Sequence, residues 1–453
     1  MRRDGRALRN SGGVRLGAWL TAVFVLFHFL PSVAGASELP AQLTGHGGPV
    51  KGVAFSSDGE RVATASFDYS VILRSWPRGD ELAVLHGHEA AVNAVTFTPA
   101  GDRVLTAGDD GLVLVWPVAG PVERREPAAR LDGHQGKILE VAVSGDGRTA
   151  ATASWDGRVG LWSLDPPALI AMLEGHRGPV NAASLSNDGA RLYSAGYDGT
   201  IRLWSVPERR ESRTLVRHGF GINVMVVDEA AGRLAYGALD GGMRIVDLAT
   251  GDTRADFGQD HSPVLALAAS QDGGRLGFGD ARGVVTMVDA ALGQVDHDFP
   301  AARGPIWALA FSPGDAGLLV GGLGSEVTVW PLDPLRRPEG AKATARQSGP
   351  ARTNGERQFD RKCRICHTLT PETGRRAGPT LHGLMGRRAG MVEGYPYSDA
   401  LTGIDLVWTP ETVDNLFAQG PDVFLPGTKM PLQKMTNARD RADLIEYLKS
   451  ATR

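Results

Sequence analysis

Short apolar runs alternate with polar residues through most of this chain. Val92–Phe97, Arg103–Ala107 and Leu112–Trp116 are runs of this kind, and turn signals such as Asp146-Gly147 and Asp188-Gly189 separate others. A period of two puts successive side chains on opposite faces, so these runs predict short antiparallel strands joined by tight turns. The N-terminus reads differently. Arg2, Arg3, Arg6, Arg9 and Arg15 precede a mostly apolar stretch, Leu16–Leu30, which is followed by Ala34-Gly35-Ala36. A positive head, about fifteen apolar residues and a small-residue cleavage site predict an export signal over residues 1–36. The apolar run is shorter than the roughly twenty residues that cross a bilayer. Cleavage would release the protein outside the cytoplasm, expected to be the periplasm, and an uncleaved signal would anchor it to the membrane on that side.

The strand pattern repeats about every forty-two residues, with markers in register. Gly-His occurs at His46, His88, His134 and His176, and an aspartate follows each histidine by 22 residues: Asp68, Asp110, Asp156 and Asp198. A hydroxyl residue precedes each aspartate by four (Thr64, Thr106, Thr152, Ser194), and Trp116, Trp162 and Trp204 follow theirs by six. About four strands fit each repeat. The pattern resembles the WD40 family, whose repeats are four-stranded blades of a β-propeller. The resemblance implies that the histidine, hydroxyl, aspartate and tryptophan of each repeat form a hydrogen-bonded network within the blade, which gives the histidines a structural role rather than a metal-binding one.

Later repeats drift. The fifth keeps His218 and Asp240 but has Val246 for tryptophan; the sixth, counted from His261, has Gly283 where the aspartate belongs; the seventh, from about Arg303, recovers Trp330. The first has Arg74 at the tryptophan position, with Trp76 two residues on. Seven units over residues 37–334 predict seven blades, with Glu38–Leu43 adding the outer strand of the last, since an open ring would leave two strand edges unpaired. Phe67, Trp155 and Tyr197, just before blade aspartates, either contribute to a binding face or pack between blades.

Residues 335–354 are rich in Pro, Arg, Gly and Ala without an apolar period and read as a linker. Beyond it stands Cys363-Arg-Ile-Cys366-His367. Two thiols three positions apart can each add across a haem vinyl group, and the adjacent imidazole can then ligate the iron. A redox dithiol would not need the histidine, and a zinc site would lack ligands. The surrounding hundred residues, 355–453, resemble class I cytochrome c of the mitochondrial and bacterial c2 type. The likeness rests on Gly378-Pro379, Gly386-Arg387, Tyr395-Pro-Tyr397, Trp408, Pro426-Gly-Thr428-Lys-Met430 and the segment Arg441–Leu448. It implies an all-α domain with one covalently attached haem c, its iron held by His367 and Met430. Pro379 would accept the other imidazole N–H, Arg387, Tyr397 and Trp408 would hold the propionates, and Thr428 would line the cofactor. Gly355 and Phe359 would cross Leu444 and Tyr447. Met435 is the nearby rival to Met430. Phe417 and Leu401 stand where the family usually has tyrosine and asparagine.

Composition narrows the partners. With 48 basic and 51 acidic residues the formal charge is -3, which excludes a strongly basic nucleic-acid-binding protein. Two cysteines in all exclude a disulfide scaffold and a four-cysteine zinc site. The charge is unevenly spread: Ser37–Pro350 has 28 Lys and Arg against 38 Asp and Glu, a formal -10, whereas Ala351–Arg453 has 15 against 12, a formal +3. Lys429 lies beside the expected haem edge, while Asp422 and Val423 occupy a segment that is lysine-rich in mitochondrial relatives. The two resemblances imply a mono-haem electron-transfer protein whose propeller docks a protein partner, the redox partner being a reductase, an oxidase or another cytochrome. A His/Met haem has no open coordination site, so the carrier would have no substrate site of its own. The alternative is an oxidoreductase with a catalytic or second-cofactor site in the propeller, fed by the haem.

Overall fold

The computed structural model describes residues 39–119, 126–257, 262–332, 353–364, 366–371, 378–395, 397–398, 401–426, 428, 430 and 435–452. The expected signal, most of the linker, His261 and Lys429 lie outside these residues.

Seven four-stranded antiparallel sheets follow one another along the chain. The second is typical, with strands Val92–Phe97, Arg103–Gly108, Val113–Pro117 and Ala129–Leu131. The first strand of each sheet neighbours those of the adjoining sheets, so seven inner strands ring a central channel. The ring closes between the ends of the propeller: Gln42–Leu43 pairs with Val327 and Thr328 as the fourth strand of the seventh sheet. The architecture is therefore a seven-bladed β-propeller. Apolar faces of successive blades form its cores. Val71 and Leu85 of the first blade, for example, share one cluster with Val95, Leu114 and Trp116 of the second.

A second device joins the blades. Asn93, the second residue of its inner strand, donates through Nδ2 to the Ile138 carbonyl of the next blade at 2.8 Å. Asn181 does the same to Ile222 at 2.9 Å and Asn223 to Val264 at 2.8 Å. At the equivalent positions of the first and seventh blades stand Lys51 and Trp307, with the Lys51 ammonium 5.5 Å from the ring centroid. Both face the channel, as does Glu140. Burial pushes the Glu140 carboxyl up to about 7, against the opposing pull of Lys51, and burial also lowers the Lys51 ammonium.

The repeat markers meet inside the blades. In the third, the Trp162 indole N–H donates to Thr152 Oγ1 (2.9 Å), the hydroxyl lies 2.7 Å from His134 Nε2, and His134 Nδ1 donates to Asp156 at 2.8 Å. The second and fourth blades repeat this chain through Trp116, Thr106, His88 and Asp110, and through Trp204, Ser194, His176 and Asp198. In the first blade His46 bridges Thr64 and Asp68, while Arg74 takes the tryptophan's place and donates to the carbonyls of Thr44 and Gly79. In the fifth the imidazole is turned over: Nε2 meets Asp240 at 3.0 Å and Nδ1 faces Tyr236. The sixth blade departs from the expected register. Pairing of Val264 with Asp280, parallel to that of Ile222 with Ala238, puts Arg282 at the aspartate position and Gly283 one place later. Asp280 supplies the missing acceptor from two residues earlier, taking the N–H groups of Arg282 (2.9 Å) and Val284 (2.8 Å).

The C-terminal region is helical: α1 (Asn354–Lys362), α2 (Pro410–Gln419), a single turn α3 (Pro421–Phe424) and α4 (Ala438–Ala451). Thr353 caps α1, Thr409 and Thr412 form a capping box on α2, and Asn437 caps α4 by accepting from Arg439 and Asp440. Helices α1 and α4 cross where Gly355 has no side chain, because a Cβ there would overlap the Asp443 carbonyl. Beside that crossing Phe359 and Tyr447 pack with ring centroids 5.6 Å apart, over a fully buried Leu444. No described helix is long and apolar enough to cross a membrane.

Candidate cofactor cleft

The helical region folds around an open cleft of about 1020 Å³, counted together with the solvent at its mouth. Its walls are apolar: Leu381, Leu384, Leu401, Trp408, Val413, Leu416, Phe417, Leu425 and Leu448 line it. Cys363, Cys366 and His367 stand at one side, on the turn that ends α1, where the His367 N–H bonds back to the Cys363 carbonyl at 2.8 Å. Pro379, Arg387, Tyr397, Thr428 and Met430 line the same cleft. Every residue expected at the cofactor is thus among its walls. Met435 is not; it is buried in the core, its N–H bonded to the Phe417 carbonyl at 2.7 Å.

The imidazole has a fixed orientation. His367 Nδ1 donates to the Pro379 carbonyl at 2.8 Å, which fixes the tautomer with the proton on Nδ1. Gly378 makes this possible, since a Cβ at that position would overlap the ring. In the wall of the same cleft the Met430 N–H donates to Thr428 Oγ1 at 3.2 Å, a local bond in the segment that carries the thioether. Arg387 donates to the carbonyls of His382 (2.6 Å) and Thr380 (2.7 Å), which secures its guanidinium at the wall of the cleft. Tyr397 accepts the Val392 N–H at 3.3 Å and lies edge-on to Tyr395, with centroids 4.8 Å apart.

The interior is a low-dielectric environment. Burial pushes the Cys363 thiol up to about 12 and the Tyr395 phenol likewise to about 12, so both are neutral near pH 7. An apolar cleft with a thiol pair at one edge, an imidazole held through Nδ1 and a thioether among the walls fits a haem, and the glycine against the imidazole gives that ring the room it needs. Among the described residues no cluster of three or more His, Cys, Asp or Glu side chains could hold a bare metal ion, and His46, His88, His134, His176 and His218 are committed to their blade aspartates.

One wall residue was not anticipated. Tyr69, on a turn of the first propeller blade, lines the cleft together with Cys366 and Tyr395. Phe67, two residues earlier, takes the second of the two roles expected of it and packs between blades, stacking on Trp307 of the seventh with centroids 5.6 Å apart. Trp155 and Tyr197 are exposed (53% and 59%), and the Lys137 ammonium lies 5.6 Å from the Trp155 ring centroid.

Comparison with known proteins separates the chain into the same two parts. The family model for the WD domain, G-beta repeat, matches residues 37–74, 79–117, 125–163 and 167–205, which are the four blades with the most regular markers. The cytochrome c of Gibberella zeae is 41% identical over 99 residues, 22% of this chain and 92% of that protein. That of Sesamum indicum is 40% identical over 99 residues, covering 88% of its length, and that of Ginkgo biloba 41% over 98 residues, covering 86%.

Proposed function

Because the chain belongs to the cytochrome c family through its C-terminal hundred residues and carries a WD40 propeller ahead of them, we propose that it is a periplasmic c-type cytochrome with one covalent haem, passing single electrons, and that the propeller docks its protein partners. The observation that carries this reading is the fixed imidazole: His367 is held to Pro379 at 2.8 Å, beside the two thiols and facing a cleft that also contains Met430. Cys363 and Cys366 would attach the haem, His367 and Met430 would ligate its iron, and Arg387, Tyr397, Trp408 and Thr428 would line its edges. The bound group supplies one-electron ferrous–ferric chemistry at a relatively high potential, as expected for a thioether ligand.

The chain's own part is to hold and insulate. The leucine-rich walls would exclude water, and with His367 and Met430 both holding the iron no position would be left for a substrate, which favours a carrier over an oxygenase or peroxidase. The arginine-rich, apolar, small-residue pattern of the first thirty-six residues supports export. A reductase, an oxidase or another cytochrome held by the propeller would meet the haem at roughly millimolar effective concentration, because the two modules share one chain.

A pyridine haemochrome assay with intact-protein mass tests the assignment. One c-type haem per chain, lost from the Cys363→Ala/Cys366→Ala variant, is the expected result. A second haem or another bound cofactor would move the function to the propeller, and a chain exported without haem would overturn the reading.

A further inference from the structure

The turns between the second and third strands of the blades share one conformation. Gly111, Gly157, Gly199, Gly241 and Gly283 all have positive φ there, from 73° to 94°. The first blade places Tyr69 at this position, with φ 70°. A side chain in this left-handed region is strained, and an aromatic one is uncommon there. The blade itself does not use the phenol in the network described above: Asp68 and Ser70 make those bonds, Asp68 accepting from His46, from the Gly47 N–H (2.8 Å) and from Ser70 Oγ (2.6 Å). Other aromatic residues on this turn, Trp155 and Tyr197, remain exposed, but Tyr69 is largely covered and its side chain lines the cofactor cleft.

We propose that Tyr69 is a haem-pocket residue supplied by the propeller, and that the first blade docks across the mouth of the cleft beside Cys366 and Tyr395 as its lid. The proposal rests on the assignment of the cleft to haem. The occupant of the cleft mouth is then this chain's own propeller, and the formal charges of the two parts, -10 and +3, favour that contact. Tyr69 here is a positioning residue: it shields the haem edge from water and small reductants without ligating iron. A strained residue retained at such a contact is the pattern expected where backbone strain serves a site.

The test uses the full-length holoprotein and three readouts. Tyr69→Gly installs the residue that five other blades carry, so the propeller should fold and its melting temperature should rise. In the same variant the rate of haem reduction by ascorbate should rise several-fold, and amide hydrogen exchange over residues 390–398 should accelerate. Tyr69→Phe, which keeps the ring, should leave both near wild type. A Tyr69→Gly protein that is stabilised but unchanged in reduction rate and in exchange would overturn the lid. Absence of haem from the wild-type protein would instead overturn the cofactor assignment, and the exchange comparison would still decide whether the blade covers the cleft.

Discussion

Gly378 lies so close to the His367 imidazole that a methyl group in its place would overlap the ring. The hydrogen bond from His367 to the following residue, Pro379, depends on that contact, because the carbonyl can approach Nδ1 only when nothing stands between chain and ring. Gly378→Ala should therefore turn the imidazole away from its present position. The expected outcome is a several-fold loss of covalent haem yield, and a weakened ferric Fe–S(Met) charge-transfer band in whatever protein is recovered. Full yield with an unaltered spectrum would show that the ring can be held in other ways.

The blade networks predict a different kind of loss. Thr152 is fully buried and serves two partners at once, accepting from Trp162 and meeting His134 Nε2. Thr152→Val keeps the volume and removes the hydroxyl, stranding an indole N–H and an imidazole nitrogen in a fully buried site. Each unpaired buried polar group costs about 1–3 kcal/mol, so denaturant unfolding of the propeller should show a loss of about 2 kcal/mol or more. The corresponding change at Thr64 should cost less, because Arg74 replaces the tryptophan there and only one partner is stranded.

The same networks set a pH dependence. Burial lowers the His134 and His176 imidazoles below their ordinary 6.5, outweighing the pull of Asp156 and Asp198, so both are neutral in the native blade. A depressed native pKa means that the unfolded chain binds the proton more readily; the stabilisation is present above 6.5 and is lost as pH falls below it. The blade aspartates act later with the same sign. Burial alone would raise Asp68, Asp110 and Asp156, but hydrogen bonds from histidine and backbone N–H groups prevail and hold them below 3.8, so their contribution fades as pH falls below that value. Glu140, held up to about 7, acts with the opposite sign over the same range, because its carboxyl takes up a proton more readily in the native channel than in the unfolded chain. In a Glu140→Gln background, thermal melts should therefore show the propeller transition moving steadily lower from about pH 6.5 downward, and His176→Asn should flatten the upper part of that slope. A transition temperature constant between about pH 7 and 5 in that background would contradict neutral blade histidines.

Much of this was legible in the sequence because the determinants are local or periodic. The spacing of His134, Thr152, Asp156 and Trp162 encodes a blade, and Cys363, Cys366 and His367 are adjacent along the chain. The sixth blade was misread because counting began at His261. That histidine follows His218 by one residue more than His176 precedes it, so the count placed the aspartate position at Gly283 when strand pairing puts it at Arg282. Asp280, two residues away from the motif, was invisible to a fixed spacing although its bonding does the same work in the turn. Tyr69 was missed for another reason. Its replacement of a turn glycine is plain when the blades are aligned, but the cleft it faces belongs to a region some three hundred residues later, and no sequence period links the two. The inter-blade bonds of Asn93, Asn181 and Asn223 gave a signal that alignment of the inner strands would have found.

Ring closure gives the last prediction. Leu43 is buried against Val327, Val329, Val50 and Trp76, and among the described residues its strand is the one that pairs with the outer edge of Val327–Pro331. Leu43→Asp would place a carboxylate in that apolar cluster, where an unpaired charge is strongly disfavoured, and would release the strand that joins the first residues of the ring to the last. Unfolding followed by tryptophan fluorescence should shift to markedly lower denaturant, since Trp76, Trp116, Trp162 and Trp204 all report on blades. The haem absorbance transition should keep its midpoint, because none of the residues closing the ring belongs to the core formed by α1, α2 and α4. Equal shifts in both signals would mean that the helical region draws its stability from an intact propeller. Coupling carried by the contact at Tyr69 would be relieved by its removal, so combining Leu43→Asp with Tyr69→Gly should then restore the haem midpoint.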